Sequence, residues 1–158
     1  MSLDRAKAHL EKFGLADRIK EFEVSSATVT LAAAALGTEE ARIAKSLSFM
    51  TADGAILVIA AGDAKISNAK YKATFGEKAK MLAFEEVEPL IGHAVGGVCP
   101  FGVNDGVRVY LDESLRRFDV VYPAAGTASS AVELSVCELE LAAGHVGWID
   151  VTNIPGNE

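Results

Sequence analysis

Lys45-Ser46-Leu47-Ser48-Phe49-Met50-Thr51-Ala52-Asp53-Gly54, followed by the apolar run Ala55-Ile56-Leu57-Val58-Ile59-Ala60-Ala61, reads as two strands joined by a tight turn. An Asp-Gly pair between β-like segments is a strong hairpin signal, because both central positions of such a turn favour positive φ. Upstream, Ala27 to Leu36 is rich in alanine and stops at Gly37, which suits a helix closed by a glycine. Thr38 then offers a second N-cap, with Glu39 and Glu40 in a first turn where the helix dipole favours acids. That short helix runs into the first strand, which sets Lys45 near a helix-to-strand junction.

The flanking sequence extends the pattern on both sides. Leu3, Ala6, Leu10 and Phe13 recur at helical spacing before Gly14, and Lys20 to Val24 alternates as a short strand would. Ser67-Asn68 predicts the start of a helix that ends at Gly76; Lys80 to Phe84 reads as a strand and Glu85 to Leu90 as a helical turn. Gly92 to Gly102 is glycine-rich and loop-like. Strands are expected over Val107–Leu111, Asp119–Tyr122 and Val132–Leu134. Ser135-Val136-Cys137-Glu138 matches a capping box and opens a helix ending at Gly144, with Cys137 expected in the core. Strands and short helices joined by hairpin turns, without a βαβ rhythm, predict an α+β fold. We expect one domain over residues 1–158, with a mixed, mostly antiparallel, barrel-like sheet surrounded by short helices.

Composition supports this and excludes several classes of function. The chain has 158 residues, 50% of them apolar, and a formal net charge of −7. Its length suits a single core, and its apolar content is too high for a disordered acidic tail. An acidic balance argues against generic duplex-DNA binding, which depends on neutralising phosphates. Charge is unevenly spread, however: residues 65–80 hold Lys65, Lys70, Lys72, Lys78 and Lys80 against the single acid Glu77. Such a segment is either a solvated face or an edge that touches a nucleic-acid backbone. Two distant cysteines, Cys99 and Cys137, indicate neither a disulfide framework nor a metal site. Charges in the first seven residues and the short apolar runs argue against secretion and membrane insertion, so a cytoplasmic location is expected.

Standard catalytic signatures are absent from the sequence. It has no nucleophile elbow, phosphate-binding loop, His-Glu-x-x-His or dinucleotide fingerprint, and His9, His93 and His145 are scattered. Cys99 lies in the glycine-rich loop six residues after His93, so a thiol nucleophile and a small buried packing residue are both open readings. The loop Gly96-Gly97-Val98-Cys99-Pro100-Phe101-Gly102 could turn backbone N–H groups toward a carbonyl, the proline stiffening it.

Three segments in order, Ala41-Arg42-Ile43-Ala44-Lys45-Ser46-Leu47, the Gly96–Gly102 loop, and Pro123-Ala124-Ala125-Gly126-Thr127-Ala128-Ser129-Ser130, resemble the YbaK/prolyl-tRNA-synthetase-associated (INS-like) editing domains. The resemblance spans most of the chain. It implies an aminoacyl-tRNA deacylase that acts in trans on the ester of a mischarged tRNA, with tRNA(Pro) as the expected class. Lys45 would then hold the terminal nucleotide or acyl group, and Gly96 and Gly97 would present backbone donors to the scissile carbonyl. Ser46, Cys99, Pro100 and Phe101 would shape the site, while Tyr122, Gly126 and Thr127 would wall the amino-acid pocket. A ribose hydroxyl and a water would supply the nucleophilic chemistry, so neither metal nor cofactor is expected. Lys65, Lys70 and Lys72 would face the acceptor end of the tRNA, and a synthetase is a further implied partner. Tyr122, Gly126 and Ser46 stand where the alanine-editing branch has histidine, asparagine and asparagine. Cysteine, serine, threonine and nonprotein amino acids therefore stay open beside alanine. A non-catalytic tRNA- or synthetase-binding module of the same fold is the competing expectation.

Overall fold

The computed structural model describes residues 2–155, and at its centre is the hairpin of β2 (Ile43–Thr51) and β3 (Gly54–Ala61). In chain order the other elements are α1 (Ser2–Glu11), β1 (Ile19–Glu21), α2 (Val29–Leu36), β4 (Lys65–Ile66), α3 (Asn68–Phe75), α4 (Phe84–Ile91), β5 (Arg108–Asp112), β6 (Val120–Pro123), β7 (Ser130–Val132), β8 (Leu134–Ser135), α5 (Val136–Ala142), β9 (Gly147–Ile149) and β10 (Thr152–Asn153). Six strands form the main sheet in the order β8-β6-β2-β3-β5-β9, and two-stranded pairs β1-β7 and β10-β4 flank it. The sheet is mixed. β2-β3 and β6-β8 are antiparallel, whereas β2-β6, β3-β5 and β5-β9 are parallel; antiparallel pairing predominates only once the flanking pairs are included. A bridge between Ala124 and Ala131 carries the curl of the sheet on toward β7, giving a half-barrel with short helices around it.

β3 is central and lacks alternation because both of its faces are covered. Leu57, Ile59 and Ala61 face the larger core with Leu10, Val87, Leu111 and Leu139, while Ile56 and Val58 pack with Phe49 and Tyr71. All five β3 residues are fully buried, and full burial of an Ile or Leu side chain contributes about 1.5–3 kcal/mol. Tyr71 of α3 stacks between Phe49 and Phe75 at centroid distances of 5.0 and 4.6 Å, which fastens α3 to the second face.

Several local expectations change. The hairpin forms, yet Thr51 pairs with Gly54, so Ala52 and Asp53 occupy the two loop positions with ordinary negative φ and Gly54 takes φ 112 after them. Thr51 Oγ1 supports that turn by accepting the Asp53 N–H at 3.2 Å. The expected helix after Thr38 is only a 3-10 turn, Glu40–Arg42, so Lys45 lies within β2 rather than at a helix end. Lys80 to Phe84 makes one bridge, Phe49 to Met81, and stops being strand-like because Glu86 accepts the Ala83 N–H at 2.8 Å and starts α4. Cys137 is exposed, since α5 turns Leu139 and Ala142 inward instead.

Candidate active site

The site is built on an interruption in strand pairing. On the side of β2 away from β3, β6 pairs only with Ile43 and Ala44, and the Met81 bridge begins at Phe49. The edge of β2 between them is left without a strand partner among the described residues. A cavity of about 380 Å³ opens along this gap. Lys45, Ser46 and Ser48 of β2 line it together with Ser26 to Val29 at the start of α2, Met81, Leu82, Phe84 and Val87 around α4, Val95, Gly96 and Val98 of the glycine-rich loop, and Tyr122, Ala124, Ser130 and Ala131. Its size and largely apolar walls suit a small-molecule moiety rather than a macromolecular face.

Lys45 is half-buried and its position is fixed. Its Nζ donates to the carbonyl of Gly62 at 3.3 Å and to that of Ala64, which leaves one of the three ammonium protons uncommitted. Burial holds its pKa below the ordinary lysine value, partly offset by the nearby Asp63. The turn that receives it is itself pinned. Ser114 Oγ accepts the Ala61 N–H at 3.0 Å, and Arg117 grips Asp63 through two hydrogen bonds at 3.0 and 2.6 Å. Ser114 in turn is set by Asp112, a fully buried carboxylate that accepts the N–H groups of Ser114 and Val151 and the hydroxyl of Thr152. Next along β2, the Ser46 hydroxyl oxygen is buried with no hydrogen-bond partner among the described residues.

The glycine-rich loop contributes differently from its sequence reading. Gly96 lines the cavity at φ 98, in a turn closed by the Gly97 N–H donating to Ala94 at 3.0 Å. The Gly97 donor is therefore already engaged and is not free for a carbonyl. Gly97 serves close packing instead: a Cβ there would lie 2.4–2.5 Å from the backbone of Gly126 and Thr127. The N–H groups of Gly96 and Val98 have no partner among the described residues. Cys99 and Phe101 do not line the cavity; both are fully buried in the core, and Pro100 is buried beside them. Burial pushes the Cys99 thiol up to about 12. Its Sγ lies 3.6 Å from His93 Nε2, but that nitrogen donates to the Phe101 carbonyl at 2.6 Å, so it is not a base facing the thiol. Burial also lowers the His93 pKa and keeps the ring neutral. Of the two readings of Cys99, packing stands.

Among the residues expected to wall the pocket, Tyr122 lines it, while Gly126 and Thr127 do not. The Tyr122 hydroxyl donates to Glu133 at 3.3 Å, and burial, aided by that carboxylate, raises its pKa. Thr127 Oγ1 donates to Ser130 Oγ at 2.8 Å and shapes the loop from outside the cavity. The three expected RNA-facing lysines separate. Lys65 and Lys72 are exposed, but Lys70 is held by Asp150 at 3.1 Å and by the Thr152 carbonyl at 2.8 Å, so most of its charge is already paired.

Among the described residues no group of three His, Cys, Asp or Glu is placed to hold a metal ion, and no helix is long and apolar enough to cross a membrane. A family model for the aminoacyl-tRNA editing domain matches residues 23–141, which contain every side chain of the cavity. The chain belongs to the aminoacyl-tRNA editing domain family. Within that family, this editing domain is 49% identical over 152 residues to the uncharacterized protein YwhH of Bacillus subtilis (strain 168), covering 96% of this chain and 97% of YwhH. It is 30% identical over 113 residues to the proline--tRNA ligase of Bacillus cereus (strain AH820), a match covering 71% of this chain and only 19% of the ligase. A crystal structure described as a candidate trans-editing enzyme for prolyl tRNA synthetase superposes with a TM-score of 0.86 at 32% identity, covering 96% of this chain and 97% of that one.

The editing domain's cavity also contains residues that the sequence did not single out. Ser48 could have been found, since Ser46 and Ser48 share a strand face at period two. Thr28, which caps α2 by accepting the Leu31 N–H at 3.1 Å, carried a local signal as well. Met81, Phe84 and Val95 carried none, because their place at the cavity depends on how distant segments pack.

Proposed function

We propose that this editing domain hydrolyses the ester that joins a wrong amino acid to the terminal adenosine of a tRNA, acting in trans. The observation that carries this reading is the Lys45 ammonium, fixed at the cavity by two carbonyls with one donor left over. An aminoacyl ester is already activated, so positioning a water and stabilising the oxyanion suffices without a protein nucleophile. Lys45 would hold the terminal nucleotide or the acyl group. The unpartnered N–H groups of Gly96 and Val98 face the task first expected of Gly96 and Gly97, and a donor of this kind is worth about 2.7–4 kcal/mol in a transition state. A ribose hydroxyl of the substrate would orient the water, consistent with a cavity that offers no histidine or carboxylate at its lining.

The relatives named for proline--tRNA ligase and for prolyl tRNA synthetase support tRNA(Pro) as the substrate class and a synthetase as a partner, in the cytoplasm where charging takes place. A synthetase pocket discriminates one methylene by only about 1–3 kcal/mol, which gives a second hydrolytic sieve its value. Exposed Lys65 and Lys72 would contribute long-range attraction to the acceptor end, with Lys70 adding little. The experiment is a deacylation panel: tRNA(Pro) charged with alanine, cysteine, serine, threonine or proline is incubated with the purified chain, and the ester is followed over time. At least one non-prolyl ester should disappear faster than the prolyl ester. Binding across the panel without turnover would instead establish the non-catalytic module.

A further inference from the structure

We propose that Phe84, flanked by Met81, is a stacking shelf for the 3′-terminal base of the bound RNA; this deepens the reading above and rests on it. Phe84 is 76% exposed and Met81 59% exposed, and both line the cavity. A large aromatic that is mostly in water while continuous with a ligand cavity is a binding feature rather than a packing one. The ring is also presented by a rigid element. Phe84 opens α4, whose N-terminus is closed by Glu86 on the Ala83 N–H and whose Val87 and Ile91 are buried. Just before it, the Leu82 N–H donates to the Ser48 carbonyl of β2 at 3.2 Å. Little ordering cost is left for a ligand that docks there.

Charge around the ring selects the occupant. Lys78 and Lys80 are exposed on the segment leading to Met81, whereas Glu85, Glu86 and Glu88 are exposed on the helical side. Cations interleaved with aromatic and apolar side chains make up a single-strand binding groove, in which phosphates follow the cations and bases stack on the rings. The acids disfavour phosphate over the helix and tolerate an uncharged base. The backbone would therefore approach along Lys78 and Lys80 and end with its last base on Phe84, placing the acyl-bearing ribose at the mouth of the cavity. Three exposed apolar side chains, Met81, Phe84 and Val95, fall well short of the roughly 800 Å² per partner that a stable protein interface needs.

The test uses uncharged tRNA whose 3′-terminal adenine is replaced by the fluorescent base 2-aminopurine, titrated with wild-type protein, Phe84→Ala and Phe84→Tyr at low salt. Stacking quenches this base, so the wild type and Phe84→Tyr should both quench it. Phe84→Ala should bind about 5- to 150-fold more weakly, the range base–aromatic stacking supports, with an unchanged melting temperature. Wild-type binding without quenching, or equal binding and quenching by Phe84→Ala, overturns the shelf and leaves the editing reading intact. Absence of tRNA binding by the wild type overturns both. Phe84-dependent self-association in sedimentation, with no quenching, assigns the patch to a second copy of the chain and overturns the shelf.

Discussion

Lys45 has a side chain whose surroundings work against its charge. Burial alone would favour the neutral amine, and the two carbonyls of the 62–64 turn together with Asp63 offset part of that cost. The sign of the resulting pH dependence follows from proton counting. Its folded pKa lies below the ordinary lysine value of 10.5, so between the two values the unfolded chain holds a proton that the folded chain has released. Stability contributed at this site therefore rises with pH through that window, because the cost of burying the charge is relieved. Urea unfolding followed as the pH rises toward 10.5 should show the wild type gaining stability relative to Lys45→Met. A difference that stays constant across that range would mean that burial does not perturb Lys45. The same deprotonation removes the ammonium from the site, so on the proposed reading activity should fall with alkali while stability at this site rises.

At the scale of elements, the site depends on two loops pressed together. The glycine-rich loop meets the 126–130 loop at Gly97, where a methyl group would overlap the backbone of Gly126 and Thr127. Gly97→Ala should lower stability by about 1–3 kcal/mol, the usual cost of forcing atoms into a packed site. Gly147→Ala is the control, since its Cβ would meet nothing within 4 Å and its change should stay within about 0.5 kcal/mol. Equal denaturation midpoints for the two variants would show that the loops are not in close contact. Elements whose ends are set locally were legible in the sequence. Ser67 and Gly76 bound α3, and Ser135 with Glu138 opens α5, each through hydrogen bonds within three or four residues. Lys80–Phe84 was misread because its β-like composition is overridden by the Glu86 cap and by a single bridge to β2. Gly97 looked like a donor because its contact with Gly126 lies 29 positions away and leaves no local trace.

Across the whole molecule, the central hairpin determines both the core and the site. β3 is sealed on two faces, and β2 spends one edge on β3 while leaving the other partly open, so the cavity is a consequence of where β6 stops pairing. Lys45, Ser46, Gly96 and Tyr122 could be named beforehand because the segments that hold them resemble motifs of the editing domains. The rest of the lining could not, since Val95, Met81 and Phe84 reach it only through the packing of α4 and its flanking loops. The net charge of −7 likewise obscures a local arrangement in which Lys70 is neutralised by Asp150 while Lys65, Lys72, Lys78 and Lys80 stay exposed. On the proposed reading, this cavity removes the acyl group using Lys45 and without a thiol. The measurement that tests it most directly is single-turnover deacylation of the best mischarged tRNA by Lys45→Ala and Cys99→Ala, both checked for native fold. Lys45→Ala should fall to the uncatalysed rate, a loss of at least about 100-fold for a group acting on the transition state, while Cys99→Ala should stay close to wild type. Full activity in Lys45→Ala, or its loss in a folded Cys99→Ala, would contradict the account.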